Sequence, residues 1–338
     1  MNELLEKLYA QHHLTREEMQ LIATKMLDGT LSDLQISAVL IALKIKTITP
    51  SELTGLVTVM QQHAIALPDV PFSLMDNCGT GGDHLKTFNI STLTAFVLAA
   101  GGIKMAKHGN KSVSSRSGSA DLLASFDLEF TNDPMLIEYQ LKTAGITFLY
   151  APAFHPMMKT VAPIRTALNT PTIFNLLGPL LNPYPLDTQL MGTFDPHSLD
   201  LLRDTLIQLG RKQVTIVHGA LGMDEANLAG RTTCLLYRNG VKDMITFTPE
   251  EMGFKPSPIQ AIQVDSIKQS HEQTLAILRN EASVALDTVC LNAGLGFFTA
   301  NKVPSIQAGI QFAQQLLRDG AVYDTFTRLL HTQQEVYA

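Results

Sequence analysis

From Pro71 onward, short apolar or β-branched runs alternate with helix-length amphipathic runs, and this alternation restricts the possible fold more than any other feature of the chain. Residues 90–100 read as a helix, 103–106 as a strand and 120–125 as a helix. Asp133-Pro134 starts a helix running to Gly145, and residues 146–150 follow as a strand. Residues 190–194 read as a further strand, Asp195-Pro196 starts a helix ending at Gly210, and 214–217 is a buried β-branched strand. Such a pattern predicts an α/β fold with a mostly parallel sheet flanked by helices. Residues 233–238 and 241–248, joined by Asn239-Gly240, predict an antiparallel edge hairpin. A capping-box-like start at Ser270-His271-Glu272-Gln273 opens a helical remainder to Thr327.

The first seventy residues read differently, as short helices with clear starts. Thr15 to Glu18 and Ser32 to Gln35 fit the capping box, and Thr49-Pro50-Ser51-Glu52 adds proline at the first helical position. Apolar residues then recur at helical spacing, at Ile36, Val39, Leu40 and Leu43, and at Leu53, Leu56, Val57 and Met60. The proline-marked stretch Leu67 to Pro71 divides a small all-helical domain, residues 1–70, from a larger α/β domain, residues 71–338. The helix-like segment 156–168 and the segment 172–181 are expected to return to the helical domain and line an interdomain cleft. A few short helices leave apolar faces uncovered, which predicts a partner subunit.

A formal net charge of −6 supplies no basic field for nucleic acid or an anionic membrane. Three widely spaced cysteines, Cys78, Cys234 and Cys290, match no zinc pattern and suit a reducing compartment. The start MNELLEKLYAQ lacks the cationic and apolar regions of a signal peptide, and no stretch approaches the roughly twenty apolar residues of a spanning helix. A cytoplasmic location is expected.

The chemistry concentrates between Cys78 and Asp121. Gly79-Thr80-Gly81-Gly82-Asp83 follows a strand expected at 74–78, and its glycines permit positive φ and close approach to a diphosphate. Glycines alone would be explained by a tight turn. Their spacing fits neither the dinucleotide fingerprint nor the Walker pattern. Asn89-Ile90-Ser91-Thr92 precedes an apolar helix and offers more polar side chains than one cap needs. The segment from Lys107 to Ser119 reads as a basic, serine-rich loop whose donors suit phosphate oxygens. Asp224 and Glu225 follow the buried strand at 214–217, where ligands of open α/β sheets collect, and would anchor magnesium. In isolation, adjacent acids are an ordinary solvated turn. Arg165 suits either an interdomain salt bridge or a planar carboxylate.

GTGGD (Gly79 to Asp83), NIST (Asn89 to Thr92), KHGNKSVSSRSGSAD (Lys107 to Asp121), HPMMKTVAPIR (His155 to Arg165), TIFNLLGPLLNP (Thr172 to Pro183) and GMDE (Gly222 to Glu225), in this order, closely resemble the anthranilate phosphoribosyltransferase family. The resemblance implies phosphoribosyl pyrophosphate binding by Gly79, Gly82, Asp83, Thr87, Asn89, Ile90, Ser91, Thr92, Lys107, His108, Gly109, Asn110, Lys111, Ser112, Val113, Ser114, Ser115 and Ser119. It implies anthranilate contacts from Gly79, Asn110 and Arg165, and Mg2+ held by Ser91, Asp224 and Glu225. It also implies a homodimer joined through the helical domains, acting in tryptophan biosynthesis. Ala124, Asp127, Arg231 and the Asn169-Thr170-Pro171 turn depart from the family's usual residues.

The expected reaction moves the ribosyl carbon from pyrophosphate to the amine of anthranilate. That amine is already nucleophilic at pH 7, so no covalent or general-base residue is assigned. Two alternatives stand beside this reading: a pyrimidine nucleoside phosphorylase, which would use free phosphate, and a non-catalytic relative that binds nucleic acid.

Overall fold

The computed structural model describes residues 1–110, 119–128 and 130–336. Its N-terminal helices are α1 (Asn2–Tyr9), α2 (Arg16–Leu27), α3 (Asp33–Ile45) and α4 (Pro50–Gln62). All three expected capping boxes form, at Thr15, Ser32 and Thr49. The third does more than cap. Glu52 also accepts from the Leu14 backbone N–H at 2.7 Å and from Lys46 Nζ at 2.7 Å, tying two helix starts to a buried ion pair.

The α/β part runs β1 (Leu74–Asp76), α5 (Ile90–Ala100), β2 (Lys104–Gly109), α6 (Ser119–Ala124), α7 (Pro134–Thr143), β3 (Ile146–Tyr150), α8 (Ala151–Phe154), α9 (Met158–Leu168), α10 (Phe174–Leu177) and β4 (Thr188–Gly192). It continues through α11 (Leu199–Gln208), β5 (Gln213–His218), β6 (Thr232–Arg238) and β7 (Val241–Phe247). Four helices follow: α12 (Ile267–Leu278), α13 (Val284–Thr299), α14 (Ile306–Arg318) and α15 (Ala321–Val336). No helix of the described residues is long and apolar enough to cross a membrane.

The described strands form one seven-stranded sheet in the order β3-β2-β1-β4-β5-β6-β7. Strands β1 to β5 pair in parallel, whereas β5–β6 and β6–β7 are antiparallel. The edge hairpin turns at Asn239 (φ 53°) and Gly240 (φ 81°), the left-handed pair that an Asn-Gly turn requires. Strand order reverses between β1 and β4, so a crevice opens at their carboxyl ends.

Three boundaries differ from expectation. The strand placed at 190–194 lies two residues earlier, because Thr188 to Gly192 take the register that pairs with β5. Ser270 does not start a helix. Ser266 caps α12 instead, accepting from the Gln269 N–H at 3.2 Å, since the sequence offers the same pattern one turn earlier and the longer helix gains backbone hydrogen bonds. Lys107, His108 and Gly109 belong to β2 rather than to a loop, and Lys107 is buried.

Residues within 156–181 pack against the N-terminal helices. Val161 and Ile164 of α9 and Phe174 of α10 share one apolar cluster with Met19, Ile22 and Leu40. Leu202 and Leu206 of α11 extend the same cluster, so the sheet's own helix layer covers part of the helical bundle. Leu21, Leu34 and Ile45 remain exposed on that bundle.

Candidate active site

Glycines at or just beyond the ends of three strands make room for one acidic segment. A Cβ at Gly192, the last residue of β4, would collide with the Asp224 carbonyl oxygen. One at Gly219, just after β5, would collide with the Glu225 carbonyl, and one at Gly79, beyond β1, with the Asp224 carboxylate, whose Cγ would lie 2.9 Å away. The segment therefore lies flat across the carboxyl ends of β1, β4 and β5. Thr80 N–H donates to the Gly192 carbonyl at 3.0 Å, and Gly81 N–H donates to Asp224 Oδ2 at 2.7 Å, which fixes the glycine loop at the crevice. Gly81 (φ 65°) and Gly82 (φ 87°) take the left-handed backbone that the loop needs.

The carboxylates of Asp83, Asp224 and Glu225 converge there, each offering an oxygen within 4.8 Å of the others. Burial, then the Asp224 charge, pushes the Asp83 carboxyl up to about 6. Burial, with Asp224 and Asp83 adding to it, raises Glu225 well above the usual carboxylate range. Mutual repulsion in a half-buried place is relieved by a proton or by a divalent cation. This donor set fits magnesium, which takes one or two carboxylates and fills its other positions with phosphate oxygens and water. Asp83, expected from the sequence to contact the diphosphate, lies among these carboxylates.

Asn89 caps α5, accepting from the Thr92 N–H at 3.0 Å, with the Ser91 hydroxyl at 3.4 Å from the same oxygen. Ser91 lines a narrow cavity with Gly79, Asp224 and Glu225, so two of the expected loops meet. The Thr92 hydroxyl is buried and finds no partner among the described residues. Ile90 is different: its side chain is in the core and its N–H donates to the Phe88 carbonyl at 2.8 Å. Thr87 forms an isolated antiparallel bridge with Gln263, which anchors the return from the glycine loop.

Lys107 reaches up from β2 beneath the site, donating to the Asn77 carbonyl at 3.1 Å. His108 is buried, with Nδ1 3.1 Å from the Gly178 carbonyl and its ring edge-on to His155. Burial and the neighbouring His155 lower its pKa to about 3, so it is neutral. Burial, aided by the Asp76 charge, pushes the Cys78 thiol up to about 12, which leaves no thiolate nucleophile there. Gly109 and Ser119 approach each other, a Cβ on the former lying 3.3 Å from the Ser119 hydroxyl, and Asn110 next to them is exposed. Lys111, Ser112, Val113, Ser114 and Ser115 lie outside the described residues.

Arg165 on α9 is half-buried, and burial lowers its pKa. Its guanidinium lies 5.3 Å from the Phe174 ring centroid and has no carboxylate partner among the described residues. The interdomain salt bridge is thus not made within them. Segment 172–183 connects Arg165's neighbourhood to the sheet: Asn182 Nδ2 donates to Asp76 Oδ2 at 2.9 Å and to the Ala106 carbonyl at 2.7 Å.

Four supporting residues were missed in the sequence. Asn292 of α13 holds both backbone groups of Ala226, accepting from its N–H at 3.1 Å and donating to its carbonyl at 2.8 Å. Its signal was legible as a single amide inside the apolar run VCLNAGLGFF. Asn77, which donates to the Ser91 carbonyl at 2.8 Å, had no distinguishing pattern, and Gly192 and Gly219 carried only their places at strand ends.

Comparison with known proteins agrees with this geometry. Residues 72–323 match the glycosyl transferase family a/b domain, and residues 2–64 match that family's helical bundle domain. The chain is 46% identical to the anthranilate phosphoribosyltransferase of Listeria monocytogenes serotype 4a (strain HCC23) over 338 residues, covering 100% of both chains. The crystal structure of the Thermus thermophilus anthranilate phosphoribosyltransferase superposes with a TM-score of 0.92 at 34% identity, covering 98% of this chain and 99% of that one. The Saccharomyces cerevisiae enzyme in complex with PRPP and Mg shares the fold, with a TM-score of 0.87 at 22% identity and coverage of 98% and 97%. The chain belongs to the anthranilate phosphoribosyltransferases of the glycosyl transferase family.

Proposed function

We propose that this protein transfers the phosphoribosyl group from phosphoribosyl pyrophosphate to the amine of anthranilate, releasing pyrophosphate, in tryptophan biosynthesis. The observation that carries the reading is the convergence of Asp83, Asp224 and Glu225 on a glycine cradle at the strand-order reversal. Magnesium, when bound, supplies positive charge to the departing pyrophosphate oxygens. Asp224 and Glu225 would hold it, with Asp83 and the Ser91 hydroxyl beside them. Gly79 to Gly82 let the backbone approach the diphosphate, while Asn89, Ser91 and Thr92 present the start of α5 to it. Thr87, Asn110 and Ser119 border the donor, and Lys107 contributes a buried positive charge from below. Arg165 receives the acceptor's carboxylate on its guanidinium fork beside Phe174.

Bond breaking at the ribosyl carbon builds positive charge on the sugar and negative charge on the leaving group. Positioning and fixed electrostatics lower that barrier, without a covalent enzyme intermediate or a general base. The domain division at residue 70, a homodimer formed through the exposed apolar residues of the helical bundle, and a cytoplasmic site of action belong to the same proposal. Buried, unbridged Cys234 and Cys290 accord with a reducing compartment. Incubating the protein with magnesium, phosphoribosyl pyrophosphate and a panel of aromatic acids tests it: loss of anthranilate matched by pyrophosphate release is expected. No loss of any aminobenzoate, or phosphorolysis of thymidine without metal, would refute it.

A further inference from the structure

Leu221 is in a conformation that its side chain does not favour, and it gains no burial in return. Its backbone is left-handed (φ 63°, ψ 17°), while 64% of the residue is exposed. Asn and Asp, whose short polar side chains tolerate it, account for Asp127, Asn169, Asn239, Asn280 and Asn301 among the positive-φ residues of the described chain. Gln11, Thr47, His84, Lys86 and Leu221 share the conformation, and of these the last three flank the carboxylate cluster in sequence. Strain that local residue choice does not explain is characteristic of functional positions.

The surroundings fix this turn firmly. Gly219 N–H donates to the Met223 carbonyl at 2.8 Å, and Asn227 Nδ2 donates to the Ala220 carbonyl at 2.9 Å. A second exposed apolar residue approaches the same turn. Phe194, 39% exposed and two residues beyond β4, has its ring against Gly82, where a Cβ would lie 3.2 Å from the ring. Its carbonyl oxygen is 3.6 Å from the Cβ position of Gly222. Phe194 therefore lies beside the glycine loop through its ring and near the 220–222 turn through its backbone.

We propose that Leu221 and Phe194 are positioning residues for the phosphoribosyl donor, forming an apolar rim that shields its diphosphate and the carboxylates from water. This rests on the donor being held by the glycine loop, as proposed above. Excluding water there strengthens each charge interaction inside, so the rim acts on donor binding rather than on the acceptor.

Leu221→Gly removes the rim and the backbone strain together, whereas Leu221→Asn keeps the size, tolerates the left-handed backbone and is polar. Donor binding is measured by calorimetry with magnesium and without acceptor, alongside Tm and both KM values. The expected result is a Tm at or above wild type for both variants, a donor Kd and KM raised about fivefold, and an unchanged acceptor KM. Phe194→Leu, which retains an apolar side chain, is expected to lose less than Phe194→Ala. A purely structural turn would raise Tm and leave donor binding alone. Unchanged donor Kd in both Leu221 variants overturns the proposal, as does a rise confined to the acceptor KM. If the wild-type protein binds the donor but never consumes anthranilate, the reaction is misassigned, while the donor Kd values still judge the rim.

Discussion

Gly79 shows how much of the site's chemistry depends on an absent side chain. In Gly79→Ala the new methyl meets the Asp224 carboxylate and its Cγ, so the carboxylate must move while Gly81 N–H loses its partner. We predict a fall in kcat/KM of about 100-fold, measured by steady-state kinetics, because catalysis tolerates little misplacement. Arg165→Lys keeps the charge and loses the fork. Its expected effect is an anthranilate KM raised roughly 10- to 100-fold with the donor KM unchanged, since charge-assisted bonds contribute about 1.5–3 kcal/mol. The carboxylates add a pH dependence. Asp83, raised to about 6, holds a proton above the range of an unfolded aspartate, so at this carboxyl the metal-free fold binds more protons than the unfolded chain. Its stability contribution therefore declines as pH rises through about 6, and magnesium must displace the proton below that pH. Calorimetry without donor should show magnesium affinity weakening as pH falls through about 6, with proton release in the acid range.

At the scale of elements, the acidic segment is held from above by α13 as well as from below by glycine-ended strands. Asn292→Ala leaves the Ala226 N–H and carbonyl without their amide partner. A stability loss of about 2–3 kcal/mol in urea unfolding is expected, together with weakened magnesium binding. The sequence made most elements legible where local physics decides them. The residue pattern placed α5 and β3 at their observed bounds, and three capping boxes marked the starts of α2, α3 and α4. Reading failed where pairing or tertiary contact decides. Register with β5 moved β4, and burial of the Lys107 stem beside Asp76 turned an expected basic loop into strand. The acids at 224–225 were visible as a pair. That Asp83 joins them depends on a contact between segments separated by more than a hundred residues, which spacing in one sequence does not reveal.

At the scale of the whole molecule, the helical bundle shares its core with α9, α10 and α11, yet leaves Leu34 at 83% and Ile45 at 64% exposed. Isolated apolar residues are ordinary on surfaces, but these two end-of-helix positions suit a contact between copies. Leu34→Asp with Ile45→Asp is expected to shift the proposed dimer to monomer in sedimentation velocity without lowering the monomer's Tm. The site's location follows from the same architecture. Strand order reverses once, the glycine loop and the acidic segment meet there, and the chain that follows Arg165's helix returns to the sheet at Asn182.

The central claim is that a carboxylate-held divalent ion drives pyrophosphate departure toward anthranilate, and it is tested most directly by comparing wild type with Asp224→Asn/Glu225→Gln under saturating magnesium and phosphoribosyl pyrophosphate. The account predicts that wild type consumes anthranilate with equal release of pyrophosphate, and that the double variant loses at least about 100-fold in kcat/KM while remaining folded. Turnover by the double variant at the wild-type rate would contradict it.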